Sequence, residues 1–348
     1  PATTFVDDLL GYFDEPDLAI VQGPQEFYNA DSFQHRGGRD EDWHDQSLFY
    51  RVIQPGKNRW NATFWAGTRS LVRRRTLEDC GGVVEDSVTE DLHTSLRLHQ
   101  RGWRTLFHPQ TVARGIAPEN YDAFIIQRVR WARGVMQVIR QEWFRRGLTL
   151  AQRASYIAST TTYFDSFRKL VLLATIPLIL ITDRLPISGD AEVFLTVWLI
   201  QALITTIGTK AIGRGNYRVL DTEVFDLMKL FAFARASLTI VHGGVHGFRV
   251  TPKGHAASKS WHPFLVPVGL LGLLYVGALW IDLARLAGLG LEAANPAATA
   301  AAVVWGSAVL SALVFVSWQV YRHFTKRRAY RLDVRIKATL RHDQSAAW

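Results

Sequence analysis

Apolar and polar positions change their rhythm near residue 150. Before it, short apolar runs alternate with helical periodicity. Leu18-Ala19-Ile20-Val21 is an apolar run closed by turn residues, the pattern of a buried strand. ATFWAGTRSLVRR (62–74) predicts a second strand broken at Gly67, and TLFHPQTVARGI (105–116) is strand-like again. SVTEDLHTSLRLHQRGW (87–103) predicts a helix carrying Leu92, Leu96 and Leu98. YDAFIIQRVRWARGVMQVIRQEW (121–143) predicts a longer one, with Phe124, Ile125, Val129, Met136 and Ile139 broadly along one side. Strands alternating with helices argue an α/β sheet for residues 1–150.

After residue 150 the apolar runs lengthen. Residues 191–208, 263–281 and 298–320 each approach the ~20 residues that cross a bilayer. A fourth run, 170–181, reaches that length by extending back through 156–167, at the cost of Asp165, Arg168 and Lys169. Four spans are therefore expected within a membrane region at 151–322. Lys210, Arg214, Arg218, Lys253, Lys259 and Lys326 flank the spans on one side, while the alternate loops are nearly free of Lys and Arg. The positive-inside rule then places the soluble part and the C-terminus in the cytoplasm. Residues 222–241 are amphipathic, suiting a helix in the interface plane. They lead into a glycine-rich loop, 243–260.

Composition supports this division. The chain has 348 residues, a net charge of +9, 48% apolar residues and 12 Trp, which suits a chain part membrane and part water-facing. The single Cys80 excludes an intrachain disulfide and an all-cysteine zinc site, and reads as a small apolar filler. The basic excess attracts nucleic acid, anionic lipid or phosphorylated substrates alike. The opening PATTFVDD has neither the basic start nor the apolar stretch of a secretion signal, and the sequence is expected to begin and end inside a longer protein.

Three stretches carry candidate chemistry. In SVTEDL, Ser87 and Glu90 have capping-box spacing, Thr89 is an alternative N-cap, and two acids complement the helix dipole. The same Asp91 could instead take a proton from an attacking hydroxyl; local sequence does not separate the two. In QRVRW, the side chains of Gln127, Arg128 and Arg130 can bond a diphosphate or sugar hydroxyls, and the Trp131 face can stack on a sugar ring. Without a substrate they make a basic face and an interfacial anchor. FRVTPKG (248–254) is either a cytoplasmic loop or a lid able to fold over a nucleotide. Asp40-Glu41-Asp42 follows no apolar strand and reads as an acidic helix start. His242 and His246 flank two glycines, which argues against a metal-binding helix.

In order, VQGPQEFYN (21–29), NRWNATFWAGT (58–68), VTED (88–91), QRVRW (127–131) and FRVTPKG (248–254) resemble the catalytic subunit of bacterial cellulose synthase, a processive family-2 glycosyltransferase. The resemblance covers nearly the whole chain. It implies a GT-A-like α/β domain followed by an α-helical transmembrane region. Asp91 would be the general base, with Thr89 and Glu90 beside it. Gln127, Arg128, Arg130 and Trp131 would meet donor diphosphate and acceptor sugar. Gln22 and Gln25 match QTPQ with Gly23 replacing Thr. Phe64, Gly67 and Thr68 match an FFCGS-like acceptor-side segment, with Trp65 and Ala66 replacing the second Phe and the Cys. Phe248, Val250, Thr251 and Lys253 would belong to a gating loop.

The resemblance also implies Mg²⁺, held by a DxD motif expected upstream of Pro1. Arg327 and Arg331 in RRAYR would open a PilZ-like domain at 323–348 that binds cyclic di-GMP. A chain without the DxD motif is expected to be inactive alone. The implied partners are UDP-glucose, a glucan chain, the lipid bilayer and an accessory periplasmic cellulose synthase subunit, but no nucleic acid. The implied location is the bacterial inner membrane. The alternatives are a synthase of curdlan, mixed-linkage glucan, hyaluronan or chitin, or a non-enzymatic transporter or membrane anchor.

Overall fold

Five consecutive buried residues, Leu18–Gln22, form the central strand β1 of the computed structural model. The structure describes residues 2–30, 32–35, 43–142, 145–184, 191–242 and 262–325. The other strands are β2 (Glu26–Phe27), β3 (Ser70–Val72), β4 (Arg104–Phe107) and β5 (Arg114–Gly115). The helices are α1 (Phe5–Leu10), α2 (Gln54–Lys57), α3 (Arg74–Asp79), α4 (Glu90–Gln100), α5 (Tyr121–Glu142), α6 (Leu150–Thr161), α7 (Asp165–Thr182), α8 (Ala191–Gly213), α9 (Val219–Ser237), α10 (Thr239–His242), α11 (His262–Leu286) and α12 (Pro296–Thr325).

The first sheet has the order β3-β1-β4. β1 runs antiparallel to β3, with Gln22 opposite Ser70, and parallel to β4, with Gln22 opposite Phe107. A register irregularity between Leu18 and Ile20 breaks the strict alternation of faces. Leu18 and Val21 therefore pack with Leu9 and Val112, while Ala19 and Ile20 pack with Cys80, Leu98 and Trp65. Cys80 is a buried filler, as its isolation in the sequence suggests. The parallel β2–β5 pair lies beyond the C-terminal end of β1. The α/β reading holds for this half.

The predicted strand over 62–74 is only partly formed. Ser70–Val72 pairs, but residues 62–66 have no regular structure. Side chains have taken the place of a neighbouring strand as partners for their backbone groups: Gln22 and Gln54 donate to the Phe64 carbonyl, and Ser95 Oγ accepts from Trp65 N–H at 2.7 Å.

In the helical half, α5 packs against α9 through Tyr121, Phe124, Phe225 and Met228, in a cluster shared with Phe33. α7, α11 and α12 pack together, and Gly306 lets α12 approach Leu180 and Leu279, whose methyls would lie 3.1 and 3.2 Å from an added Cβ. Two helices among the described residues, Leu265–Leu286 and Pro296–Arg322, are long and apolar enough to cross a membrane.

Two sequence expectations change here. The run 156–181 is not one helix: it breaks over residues 162–164 into α6 and α7. The break puts Asp165 in the first turn of α7, where it pairs with Arg168 at 2.6 Å. Lys169 is buried but reaches Glu223 and Asp226 on α9, each at 2.8 Å. The amphipathic stretch 222–241 is two pieces, α9 and α10, and α9 turns Phe225, Met228 and Leu230 into the core. The loop 243–260 and the segment 326–348 lie outside the described residues, as do Asp40-Glu41-Asp42.

Candidate active site

The site is assembled where β1 ends. Gln22 is buried there, and its amide grips the irregular segment at two points. Its Nε2 donates to the Phe64 carbonyl and its Oε1 accepts from Ala66 N–H at 2.8 Å. Gly23 follows at a tight place: a Cβ would lie 2.6 Å from Val112 Cγ2, so glycine rather than threonine fits this QGPQ. Gln25 Oε1 accepts from the buried Tyr50 hydroxyl at 2.9 Å. Tyr50 stands on a π-helical turn, Phe49–Ile53, a wide coil that recurs at functional sites.

The segment then carries Gly67 to the start of α4. Gly67 has φ +83°, a left-handed conformation that glycine adopts without strain. A Cβ there would meet Asp91 Oδ2 at 3.0 Å. Asp91 Oδ1 accepts from Leu92 N–H at 2.7 Å, and Ser95 Oγ donates to the Asp91 carbonyl at 2.9 Å while supporting Trp65. Burial pushes the Asp91 carboxyl up to about 6; the Leu92 amide and, more weakly, Arg130 pull it back, and Glu90 raises it further.

The capping-box reading of Ser87 and Glu90 does not hold. Thr89 occupies the N-cap position but makes no side-chain cap bond. The Ser87 and Thr89 hydroxyls are buried without partners among the described residues. The reason lies on α5. Gly134, one turn after Trp131, faces Thr89 so closely that a Cβ would stand 2.3 Å from its Cγ2 and 2.6 Å from its Oγ1. Thr89 is used as a packing surface between the two helices. Gln137 completes the joint, accepting from Val88 N–H at 3.2 Å and donating to the Asp86 carbonyl at 2.5 Å. At the far end of α5, Glu142 bonds His93 at 2.8 Å and Arg145 at 3.1 Å.

Gly134→Ala should therefore force the two helices apart. Overpacking of this kind costs roughly 1–3 kcal/mol, and it shifts Asp91 relative to Trp131. A lowered melting temperature and a reduced rate in the full-length protein are expected; both unchanged would remove this contact from the argument.

On α5 the QRVRW side chains divide. Gln127 Oε1 is buried with no partner among the described residues. Arg130 lies close enough to Asp91 to lower its pKa. Arg128 was expected against a diphosphate; the structure puts it on Asp45. Its Nη2 donates to both Asp45 oxygens, at 2.9 and 2.7 Å, with both side chains buried. Its guanidinium lies 4.4 Å from the Trp131 ring centre and 4.9 Å from that of Phe124. Arg128 is thus the backing of the Trp131 ring.

Trp65, which replaces a phenylalanine of the resembling motif, points into the core and bonds Ser70 Oγ through its indole N–H at 2.7 Å. The exchange leaves the site lining alone. Phe64 packs against Phe49 and Tyr156. Among the described residues no group of His, Cys, Asp and Glu side chains is placed to hold a metal ion. The expected gating-loop residues Phe248, Val250, Thr251 and Lys253, and Arg327 and Arg331, lie outside the described residues.

Sequence reasoning missed Asp45, Gly134, Tyr50 and the His93–Glu142 pair. A glycine inside a strongly helical pattern is a signal of close packing and could have found Gly134. Asp45 carries no local signal.

The arrangement sets a buried carboxyl, an indole backed by a paired guanidinium, and Arg130 on two joined helices beside the end of a strand. Comparison with known proteins gives the family. Residues 3–208 match the family model for glycosyl transferase family group 2, and the chain belongs to that family. Cellulose synthase 1 of Komagataeibacter xylinus is 32% identical over 289 residues, 80% of this chain and 18% of that protein. The UDP-forming cellulose synthase catalytic subunit of Xanthomonas axonopodis pv. citri is 31% identical over 314 residues, 82% of this chain and 42% of that one. Its counterpart in Pseudomonas fluorescens is 29% identical over 329 residues, 92% and 42% of the two chains. The chain spans less than half the length of these relatives.

Proposed function

We propose that this chain is the acceptor-side and membrane part of a processive, inverting synthase that transfers glucose from UDP-glucose to a growing β-glucan, of the cellulose type. The observation that carries the reading is the Asp91 carboxyl. It sits at the start of α4, raised to about 6 by burial, against Gly67 and within reach of Arg130. Near neutral pH such a group is mostly ionised yet still basic enough to accept a proton.

In this reading the acceptor sugar lies on Trp131. Its hydroxyl oxygen attacks the donor's anomeric carbon as Asp91 takes the proton. The carbon–oxygen bond to the diphosphate breaks, and UDP leaves with the negative charge, which Arg130 faces. Phe64 lines the acceptor side. A polar cleft of about 560 Å³ between α6, α7 and α9, lined by Thr161, Asp165, Lys169, Asp226 and Phe233, suits the path of a polyhydroxy chain.

Insertion in the bacterial inner membrane, with the catalytic half cytoplasmic, agrees with the two long apolar helices and the basic flanks. The Mg²⁺ dependence and cyclic di-GMP activation rest on the motif resemblance, as does the accessory subunit.

Incorporation of labelled glucose from UDP-glucose by membranes carrying the full-length protein, with the product digested by a β-1,4-specific glucanase, tests the reading. Resistance of the product would favour another β-glucan. No incorporation from UDP-glucose, with incorporation from a different sugar nucleotide, would overturn the donor assignment.

A further inference from the structure

Lys57 closes the short helix α2 and is buried, with 8% of its surface exposed. No carboxylate pairs with it among the described residues. Its Nζ donates to Ser159 Oγ on α6 at 2.6 Å and stands 4.8 Å from the centre of the Phe64 ring. Ser159 in turn donates to the Ser155 carbonyl at 2.9 Å. A buried ammonium without an anion is costly, and an apolar side chain of the same length would fill the space without that cost. What the ammonium adds is direction: one N–H fixed on a hydroxyl and the charge set over an aromatic face.

The groups around it keep their charge over a wide pH range. Tyr156 on α6 stacks on Phe64 with ring centres 6.3 Å apart, and burial raises its hydroxyl pKa. Its OH meets His99 Nδ1 at 2.8 Å. His99, on α4, is pushed down to about 3 by burial and by Lys57 itself, so it is neutral near pH 7. Lys57 is the member of this cluster that titrates near working pH, lowered by burial to about 8.

We infer that Lys57 is a positioning residue for the acceptor: held by Ser159, its ammonium fixes the plane of the Phe64 ring, which packs against the Leu92 and Leu96 cluster of the helix that carries Asp91, and so ties acceptor alignment to helix α6. The inference rests on the glucan-synthase reading. Lys57 touches no substrate; it acts through Phe64.

The test uses full-length protein in lipid nanodiscs with UDP-glucose and Mg²⁺. Wild-type protein that incorporates no glucose defeats the functional reading, whatever Lys57 does. Given active wild type, Lys57→Met should lower kcat about 10-fold, the loss expected for one cation–π contact and one charged hydrogen bond. The donor KM should stay within about 2-fold, since the donor side is untouched. The alkaline limb of the wild-type rate, near pH 8, should vanish in Lys57→Met. Lys57→Arg should restore most of kcat and carry activity to higher pH. Ser159→Ala, which buries no new group, should lower kcat in the same sense. Wild-type kcat and pH profile in Lys57→Met, or Lys57→Arg as poor as Lys57→Met, would overturn the inference. So would a Ser159→Ala protein with unchanged kcat, which covers the case of a Lys57→Met chain that fails to fold.

Discussion

Asp91→Asn in the full-length protein stops polymer synthesis and leaves a fold at least as stable as the wild type. Loss of a general base lowers kcat by about 10²–10⁴-fold, while binding of UDP-glucose persists. The stability half of the result follows from the sign of the pKa shift. The Asp91 carboxyl moves from an ordinary 3.8 to about 6, chiefly by burial. The folded protein therefore holds this proton more tightly than the unfolded chain. The stability it confers is complete below about pH 4 and is lost as pH rises through about 6. An asparagine never ionises, so at neutral pH it removes a penalty of at most about 3 kcal/mol. The same pKa shapes the rate: activity should rise with pH through about 6 and level off until the alkaline limb. Glucose incorporation, a pH profile and thermal melts of both proteins make the check. Retained synthesis would refute the base assignment. Lost synthesis with a lower melting temperature would make Asp91 structural.

Breaking the Arg128–Asp45 pair has the second large effect, and it falls on stability first. Both side chains are buried, at 6% and 5% exposure. Asp45→Ala leaves an uncompensated guanidinium in the interior, and such a loss costs about 3–5 kcal/mol. Arg128→Ala strands the carboxylate and also takes away the cation behind Trp131. Replacing both, as Asp45→Leu with Arg128→Met, should recover much of the lost stability, because two apolar groups need no partner. Activity should not recover with it, since Trp131 then has no fixed backing. Chemical denaturation of the single and double variants measures the coupling. A single-variant cost under about 1 kcal/mol would show that water reaches the pair.

Much of the catalytic half was legible in the sequence because its signals are local. β1, α4 and α5 follow from apolar runs and periodicity. What was not legible depends on partners distant in the chain. Residues 62–66 have the residue types of a strand, yet their backbone is bonded by Gln22, Gln54 and Ser95, which no local pattern announces. The cap at SVTEDL failed for a similar reason: Gly134 on α5 uses Thr89 as a packing surface. Arg128 looked like a free arm in QRVRW because nothing in the sequence around Asp45 marks it as the partner. The break between α6 and α7 was hidden by hydropathy, which averages over the residues where the helix ends.

The irregular stretch between Ala62 and Gly67 has one more consequence. A strand in a sheet is constrained residue by residue, since each position pairs and each alternate side chain faces the core. This stretch instead hangs from four polar hooks, the side chains of Gln22, Gln54, Ser95 and Thr105, and ends on a glycine. Residues there that take no part in the Phe64 stack can be exchanged, provided the hooks stay. Trp65 and Ala66, where the resembling motif has Phe and Cys, are such an exchange, with the Trp65 indole turned to the core and bonded to Ser70. Diversity among related chains should therefore collect at Trp65 and Ala66, and uniformity in Gln22, Phe64, Ser95 and Gly67.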